Sequence, residues 1–205
     1  MSCVIVVIEG PSAAGKTTWA TTHALNNVIA ETGPASPPSD GSDDDLARFW
    51  SDLNCHRWMR ALEVESEFAL ALCDTDPLKL HYDYCLARLG RVTWDRFEAG
   101  ISATTEAIKQ NRLGLADIVL VSIPDDRTLA LQRDSDSTRG RSNFDLHRLL
   151  SPALRDWYAT LDQLDSGRVL WGFPEQMPST VVRERYDADL FRSWMEMLPR
   201  HVAAE

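Results

Sequence analysis

The sequence predicts an α/β fold in which a parallel β-sheet is covered by helices on both faces. Two runs rich in β-branched apolar residues, at about residues 3–8 and 117–123, have the composition of buried parallel strands. Segments whose apolar residues follow helical spacing alternate with these runs and with shorter ones. Because parallel strands are usually joined by a crossover helix, this alternation favours a parallel sheet.

The composition fits one globular domain over residues 1–205. Apolar residues make up 44% of the chain, which is enough for a full core, and the formal net charge is −10. A partner that is a nucleic-acid polymer would require a basic surface, so the negative charge argues against that class of function. A phosphate site in this chain must therefore depend on locally placed lysines and arginines.

The sequence has no feature of a membrane or secreted protein. No apolar run approaches the ~20 residues of a membrane-spanning helix, and the N-terminus has no signal-peptide layout. The four cysteines have neither a C-x-x-C pair nor the spacing of a zinc site. We interpret them as reduced, mostly buried thiols of a cytoplasmic protein. The sequence leaves the oligomeric state open, and a homodimer is one of the options.

The first predicted strand runs directly into a phosphate-binding motif. Residues 10–18 match the pattern G-x-x-x-x-G-K-[ST], and a helix over about residues 15–26 follows. The backbone of this turn and the positive end of the helix would cradle a nucleoside triphosphate, so we expect ATP and Mg²⁺ as ligands. Lys16 would reach the β- and γ-phosphates, and the Thr17 hydroxyl would coordinate the metal. The predicted nucleotide-binding residues are Gly10, Pro11, Ser12, Ala13, Ala14, Gly15, Lys16, Thr17 and Thr18.

A short strand and a substrate-side region come next. Residues 28–31 suit a second strand, and the acidic, Pro-rich residues 32–45 form either a solvated linker or a lid. A helix from about Asp45, capped by Asp43 or Asp44, would complete the substrate-side segment 32–67.

The rest of the chain continues the alternation. Residues 68–73 form a third strand that ends in Asp-Thr-Asp-Pro, and helices over about residues 78–89 and 94–111 follow. The fourth strand is residues 117–123, and a short helix covers about residues 128–132. A helix over residues 146–164, with a break at Pro152 as one option, leads to a strand at 168–173 and a helix at 188–198.

Two carboxylates are expected near the phosphate-binding turn. Ligands of parallel sheets bind at the carboxyl ends of the strands, and Glu31 and Asp74 both follow predicted strands. Asp74 could hold Mg²⁺ or accept the proton of an acceptor hydroxyl, and Glu31 is the rival general base. If Glu31 is the base, Asp74 is left to the metal.

An arginine-rich segment, residues 133–148, could supply cations to the phosphates, and the resemblance of its first part, residues 133–141, to the lid of nucleotide kinases implies that it closes over them. Arginine forks match phosphate oxygens, so as a group these arginines favour a phosphate clamp. Arg133 and Arg139 are the first candidates for both nucleotide binding and catalysis, followed by Arg141 and then Arg148. Any single one could instead be part of a salt-bridged surface loop.

The substrate-binding candidates are Glu31, Arg57, Arg60 and Tyr82. Arg57 and Arg60 lie three residues apart and are expected to share a helix face. Trp50, Trp58 and Tyr84 could stack on a ring, although tryptophans at helical spacing more often belong to the core. The histidines show no ligand spacing and are interpreted as surface or core residues.

Residues 8–18 resemble the first motif of deoxynucleoside kinases and thymidylate kinases, which also have a strand, Glu-Gly and a small-residue loop ending in Gly-Lys-[Ser/Thr]. Glu31 resembles the general base of deoxynucleoside kinases. Residues 74–76 resemble the Asp-Thr-Asp of nicotinamide-riboside-kinase-like proteins, and residues 133–141 resemble the arginine-bearing lid of nucleotide kinases. The Glu-Arg-Ser of deoxynucleoside kinases and the Asp-Arg-Tyr of thymidylate kinases are absent, so the resemblance leaves the acceptor open.

The resemblance implies a P-loop NTPase fold of three layers, with five parallel strands in the order 2-3-1-4-5 and with residues 172–178 beside the adenine. It also implies an ATP-dependent kinase that phosphorylates a hydroxyl or phosphate of a small molecule, most simply a nucleoside or nucleotide. The alternatives are an O-phosphotransferase acting on an antibiotic or natural product, a P-loop NTPase that acts on a partner without being a kinase, and a nucleotide-binding protein without catalysis.

Overall fold

A computed structural model of the chain describes residues 3–24, 26–31, 36–135, 144–178 and 181–200. The strands of this part of the chain are β1 (Val4–Glu9), β2 (Val28–Ile29), β3 (Leu70–Asp74), β4 (Ile118–Val121) and β5 (Val169–Trp171). Its helices are α1 (Lys16–His23), α2 (Asp43–Phe68), α3 (Leu80–Arg88), α4 (Trp94–Lys109), α5 (Asp126–Ser135), α6 (Phe144–Leu164) and α7 (Ala188–Met197).

The strands form one five-stranded sheet in the order β2-β3-β1-β4-β5, and each neighbouring pair is parallel. The predicted α/β fold with a five-stranded parallel sheet is therefore confirmed. Strand β1 lies in the centre, with Ile8 opposite Asp74 of β3 and Glu9 opposite Val121 of β4. The carboxyl end of β1 is thus flanked by the ends of two other strands.

Helices cover both faces of the sheet, but unequally. On one face, the side chains of Ile5 and Val7 belong to a large core with residues of α2, α3, α4, α6 and α7, including the fully buried Trp58 and Trp157. On the other face, the side chains of the alternate β1 residues pack against Trp19 and Ala20 of α1. This alternation along one strand is what a strand buried on both faces requires.

Helix α2 differs from the prediction at both ends. Ser42, rather than Asp43 or Asp44, is the N-cap, because its hydroxyl accepts from the Asp45 N–H at 3.2 Å while the Asp45 carboxylate accepts from the Ser42 N–H at 3.1 Å. The helix then continues to Phe68, which we had expected in the third strand. Ala69 follows with φ 59 and donates its N–H to the Glu65 carbonyl. Strand β3 therefore begins at Leu70, two residues later than predicted.

Helix α6 is continuous through Pro152, so the optional break is wrong. A proline inside a helix costs roughly 3 kcal/mol because it lacks an N–H and crowds the preceding turn. The neighbouring Leu150, Ala153 and Leu154 are all buried in the core. Burial of apolar side chains on both sides of Pro152 offsets that cost.

The structure bears on two further expectations. Cys3, Cys55, Cys73 and Cys85 are all free, and the last three are buried. Among the helices of the described ranges, none has the length and apolar character needed to cross a membrane.

Candidate active site

The turn after β1 has the backbone geometry of a loop that wraps around an anion. Gly10 has φ 153, and a Cβ there would lie 2.2 Å from the Ser122 carbonyl oxygen, so only glycine fits. Ala13 and Gly15 also have positive φ values, 73 and 83. Gly15 is the N-cap residue of α1, so the turn ends at the positive end of a helix.

Lys16 and Thr17 both lie at this turn, as predicted. The Lys16 ammonium donates to the carbonyl oxygens of Gly10 at 2.5 Å and Pro11 at 3.3 Å, so its charge lies over the loop. The Thr17 hydroxyl donates to Oδ2 of Asp74 at 3.2 Å. The pairing of Ile8 with Asp74 in the sheet explains this contact, because it brings the end of β3 beside the turn.

Asp74 is half-buried, and its electrostatic surroundings are mixed. Burial raises its pKa, and the nearby Glu9 and Glu31 raise it further, while Lys16 and the Thr17 hydroxyl lower it. The net effect is a pKa above the usual range for Asp. A cation bound nearby would therefore stabilise the ionised form of this carboxylate.

The residues present fit a magnesium ion that is shared with phosphate oxygens. In the described ranges, no three His, Cys, Asp or Glu side chains are grouped as a complete metal site. Mg²⁺ bound with a nucleotide needs only one or two protein oxygens and takes its other ligands from phosphates and water. The Thr17 hydroxyl and the Asp74 carboxylate would be those two.

Glu31 lies at the same edge of the sheet, two residues beyond β2. Its carboxylate forms an ion pair with Lys79, which precedes α3 and has φ 46. The side chain of Glu31 is 54% exposed, so it is open to an acceptor molecule. The two predicted carboxylates thus lie near one another, one bonded to the phosphate-binding turn and the other facing solvent.

Glu9, which was not among the residues predicted from the sequence, connects the turn after β1 to the loop after β3. Its buried carboxylate accepts the N–H groups of Gly10 at 2.9 Å and Asp76 at 3.1 Å, and His81 lies 3.5 Å away. Burial alone would raise the pKa of Glu9, but His81, Lys16 and the two N–H groups outweigh burial and lower it. The only signal in the sequence was a charged residue at the end of an apolar strand.

Asp76 and Tyr158 form a second buried group below the site. The Asp76 carboxylate accepts the Leu78 N–H at 2.9 Å and the Tyr158 hydroxyl at 3.2 Å. Burial raises the pKa of Asp76 to about 6. The nearby His81 is also buried, and its Nδ1 has no hydrogen-bond partner among the described residues. Sequence spacing could not have indicated this group, because α6 brings Tyr158 to it from 82 residues away.

Arg57 and Arg60 do not share a face, so this expectation is wrong. Arg57 is buried, and its guanidinium donates to the carbonyl oxygens of residues 74, 75 and 76 at 3.2, 2.9 and 3.3 Å. The Arg60 side chain is 64% exposed and pairs with Glu63 at 2.9 Å. The two positions differ by about 60° around the helix axis, which is enough to separate core from solvent. Arg57 therefore positions the loop that carries Asp74.

The predicted lid segment is only partly described. Arg139 and Arg141 lie outside the described residues, as does the side chain of Arg133, whose backbone belongs to α5. Arg148 pairs with Asp126 at 2.9 Å on the surface. Leu129 of α5 and Phe144 of α6 pack against Ala14 of the phosphate-binding turn. The helices on both sides of residues 136–143 thus contact that turn.

The aromatic candidates separate into core and site residues. Trp58 is fully buried, which confirms the core interpretation for this tryptophan, and Tyr84 is fully buried as well, so it is not open to a substrate ring. Trp50 packs against Phe49. Tyr82 is half-buried, with its ring centroid 6.2 Å from that of His147. His147 belongs to α6, and burial, followed by the charge of Lys16, lowers its pKa. His147 is therefore near the site, although the sequence analysis gave it no role.

Residues 173–175 are fixed to α1. The Trp19 indole donates to the Pro174 carbonyl at 2.7 Å, and the two ring nitrogens of His23 lie 2.8 Å from the Trp19 carbonyl and 3.0 Å from the Glu175 carbonyl. Both partners are acceptors, so a ring with protons on both nitrogens satisfies both contacts, and these contacts raise the pKa of His23. The expected role of this segment beside an adenine ring stays a prediction.

No family model matches this sequence, and no curated protein matches it either. Its function is therefore inferred from the residues of the site.

Proposed function

We propose that this chain has a P-loop NTPase fold and is an ATP- and Mg²⁺-dependent phosphotransferase. Its acceptor is a small molecule, most simply a nucleoside or nucleotide. The observation that carries the proposal is the 3.2 Å contact between the Thr17 hydroxyl and the Asp74 carboxylate, beside the Lys16 ammonium. In P-loop NTPases, such a hydroxyl and a strand-end carboxylate hold the metal while the lysine contacts the phosphates.

The fold supports this assignment. A central strand enters a turn with positive φ values at Gly10, Ala13 and Gly15, and a helix begins directly after it. The strand order β2-β3-β1-β4-β5 is the one implied by the resemblance to nucleoside and nucleotide kinases. It brings Glu31 and Asp74 to the side of the turn opposite β4 and β5.

The residues of the chain have separate tasks in this mechanism. The backbone of residues 10–18 binds the triphosphate, and Lys16 exchanges its carbonyl partners for the β- and γ-phosphate oxygens. Mg²⁺, when bound, neutralises charge that spreads over the transferring phosphoryl group. Lys16 and the turn align the γ-phosphoryl group with the acceptor.

Glu31 is the better placed general base, because Asp74 is already bonded to Thr17. In the transfer step, a bond forms between the acceptor oxygen and the γ-phosphorus while the bond from that phosphorus to the β-phosphate oxygen breaks. The hydroxyl proton of the acceptor passes to Glu31, and ADP leaves with the electron pair of the broken bond. Lys79 orients Glu31 through their ion pair.

The packing of α5 and α6 supports a kinase. Leu129 and Phe144 pack on the phosphate-binding turn, so the two helices cover part of that turn and limit the access of water to it. Exclusion of water matters for a kinase, because hydrolysis competes with transfer. We place the activity in the cytoplasm, where ATP is available and free cysteines stay reduced.

The test is a screen for ATP-dependent phosphorylation of nucleosides, nucleotides and hydroxylated natural products, read by mass spectrometry. We expect one acceptor class to gain a phosphoryl group and Lys16→Ala to abolish the gain. The matched control is Lys109→Ala, an exposed lysine at the end of α4, which should retain full transfer. Transfer that survives Lys16→Ala contradicts the mechanism. ATP hydrolysis that needs a protein partner and yields no phosphorylated acceptor indicates a P-loop NTPase that is not a kinase.

A further inference from the structure

Four side chains from three separate parts of the chain lie together beside Lys16. Glu31 pairs with Lys79, and Tyr82 follows Lys79 by one turn, with its N–H donating to the Lys79 carbonyl at 3.2 Å. Tyr82 in turn contacts the ring of His147. Lys16, Glu31 and Lys79 all influence the pKa of His147, so α6 brings this ring near the same group.

The polar and aromatic parts of this group differ in what they can bind. Glu31 and Lys79 are partly exposed, with side chains 54% and 33% accessible, and can exchange their ion pair for a hydroxyl group. Tyr82 and His147 are half-buried, and their rings meet edge to face at an interplanar angle of 69°. Because the two rings are nearly perpendicular, an acceptor ring can stack on the face of one of them while its edge meets the other.

Among the residues that the structure describes, the cations near this group are already engaged. Lys16 bonds to loop carbonyls, Lys79 to Glu31, and the buried Arg57 to the carbonyls of residues 74–76, while Arg96 pairs with Asp83 at 3.1 Å. None of these is an arginine fork open to a phosphate, the arrangement that recognition of a phosphorylated acceptor favours.

The carboxylates near the group also disfavour a phosphorylated acceptor. Glu9 and Glu31 both lie near enough to Asp74 to raise its pKa. A phosphate group on the acceptor would therefore enter a region that already holds these carboxylates and the negatively charged triphosphate. Like charges at close range in a partly desolvated site cost binding energy.

On these grounds, and resting on the proposed function, we propose that Glu31, Lys79, Tyr82 and His147 form the acceptor subsite. This subsite takes an uncharged compound that carries a flat ring and a hydroxyl group, in preference to a compound that is already phosphorylated. Glu31 contacts the hydroxyl group that receives the phosphoryl group, Lys79 positions Glu31, and the rings of Tyr82 and His147 hold the ring of the acceptor.

The experiment compares matched acceptor pairs with the wild-type chain and MgATP. The panel contains nucleosides with their 5′-monophosphates, and ring-bearing natural-product alcohols with their phosphorylated forms. We expect the uncharged member of at least one pair to be phosphorylated with kcat/KM at least about tenfold higher than its phosphorylated partner.

Two variants then locate the subsite. Tyr82→Ala and His147→Ala should each raise the KM for the uncharged acceptor roughly two- to tenfold, the range expected for the loss of one ring contact. The KM for ATP should stay within about twofold, because in the described part of the chain neither side chain forms a hydrogen bond or ion pair with the phosphate-binding turn. His56→Ala, at an exposed histidine of α2, is the matched control and should change neither constant.

The outcomes separate this inference from the proposed function. Preference for the phosphorylated member, or an equal rise of both KM values in Tyr82→Ala and His147→Ala, overturns the inference while the kinase activity stands. Because the matched-pair comparison uses the wild-type chain, it decides the acceptor class even if a variant does not fold. Absence of transfer to every member of the panel, with Lys16→Ala and wild type equally inactive, overturns the proposed function itself.

Discussion

Buried charged groups lie at both ends of the parallel strands, but their partners differ. We call the end where the strands begin the amino edge of the sheet and the end where they finish the carboxyl edge. At the amino edge, the fully buried Asp117 accepts the N–H groups of Ile5 at 2.8 Å and Arg183 at 3.0 Å and forms an ion pair with Arg185 at 2.6 Å. Arg185 also pairs with Glu65, and these two carboxylates raise its pKa despite its burial. Every charge in this group faces an opposite charge.

At the carboxyl edge, carboxylates lie beside other carboxylates. Glu9, Asp74 and Asp76 are held mainly by N–H groups and hydroxyls, and the pKa values of Asp74 and Asp76 are raised by burial. Residues with positive φ, among them Ala13 and Thr75, are also found here. Buried carboxylates that lie close to one another and unusual backbone angles cost stability, and such costs are typical of functional sites. The comparison indicates that one edge stabilises the fold, whereas the other carries the costs expected of the ligand site proposed above.

Glu31→Gln should give the largest effect and sharpen this contrast. If Glu31 is the general base, turnover should fall roughly 10²–10⁴-fold, because the amide cannot accept the hydroxyl proton. The loss of a half-exposed ion pair with Lys79 should change the free energy of unfolding by less than about 1 kcal/mol. Steady-state kinetics and thermal unfolding of the same preparation measure both. A normal turnover number in this variant would return the role of base to Asp74.

Asp117→Asn should show the opposite behaviour. Removing one partner of a buried ion pair leaves Arg185 without its full compensation, so the free energy of unfolding should fall by about 3–5 kcal/mol. Affinity for MgATP, measured well below the melting temperature, should not change. The control is Glu63→Gln, which breaks the exposed pair with Arg60 and should cost less than about 1 kcal/mol. If Asp117→Asn unfolds like wild type but loses nucleotide binding, the assignment of the two edges is wrong.

His23 should give the smallest effect, at a place that belongs to neither edge. Its pKa is raised in the folded chain by the Glu175 and Trp19 carbonyls, so the protonated ring stabilises the fold. That contribution is fully present below the unfolded pKa of about 6.5 and is lost as the pH rises through the higher folded value.

The melting temperatures of wild type and His23→Gln from about pH 5 to about pH 8 measure this contribution. The advantage of wild type should be greatest at the acid end and should shrink toward the alkaline end. An advantage that is constant or grows with pH would show that the ring does not carry two protons in the folded chain.

The sequence predicted those parts of the site that depend on local chain geometry. The turn with Lys16 and Thr17 could be identified because its strand, its glycines and its helix are contiguous. Asp74 could be placed because the ends of parallel strands share one edge. The burial of Arg57 could not be predicted, since it depends on how closely α2 packs against the end of β3. The same holds for His147, whose position depends on the packing of α6, a helix that continues through Pro152.

The most direct test of the account is the Mg²⁺ dependence of ATP affinity, measured by titration calorimetry with Mg²⁺ and with EDTA. Wild type should bind ATP at least about tenfold more tightly with Mg²⁺ if Thr17 and Asp74 supply the protein ligands of the metal, as we propose. Asp74→Asn should lose most of that difference, while Asp52→Asn, at an exposed aspartate of α2, should keep it. Failure of wild type to bind ATP, or an unchanged Mg²⁺ dependence in Asp74→Asn, would contradict the account.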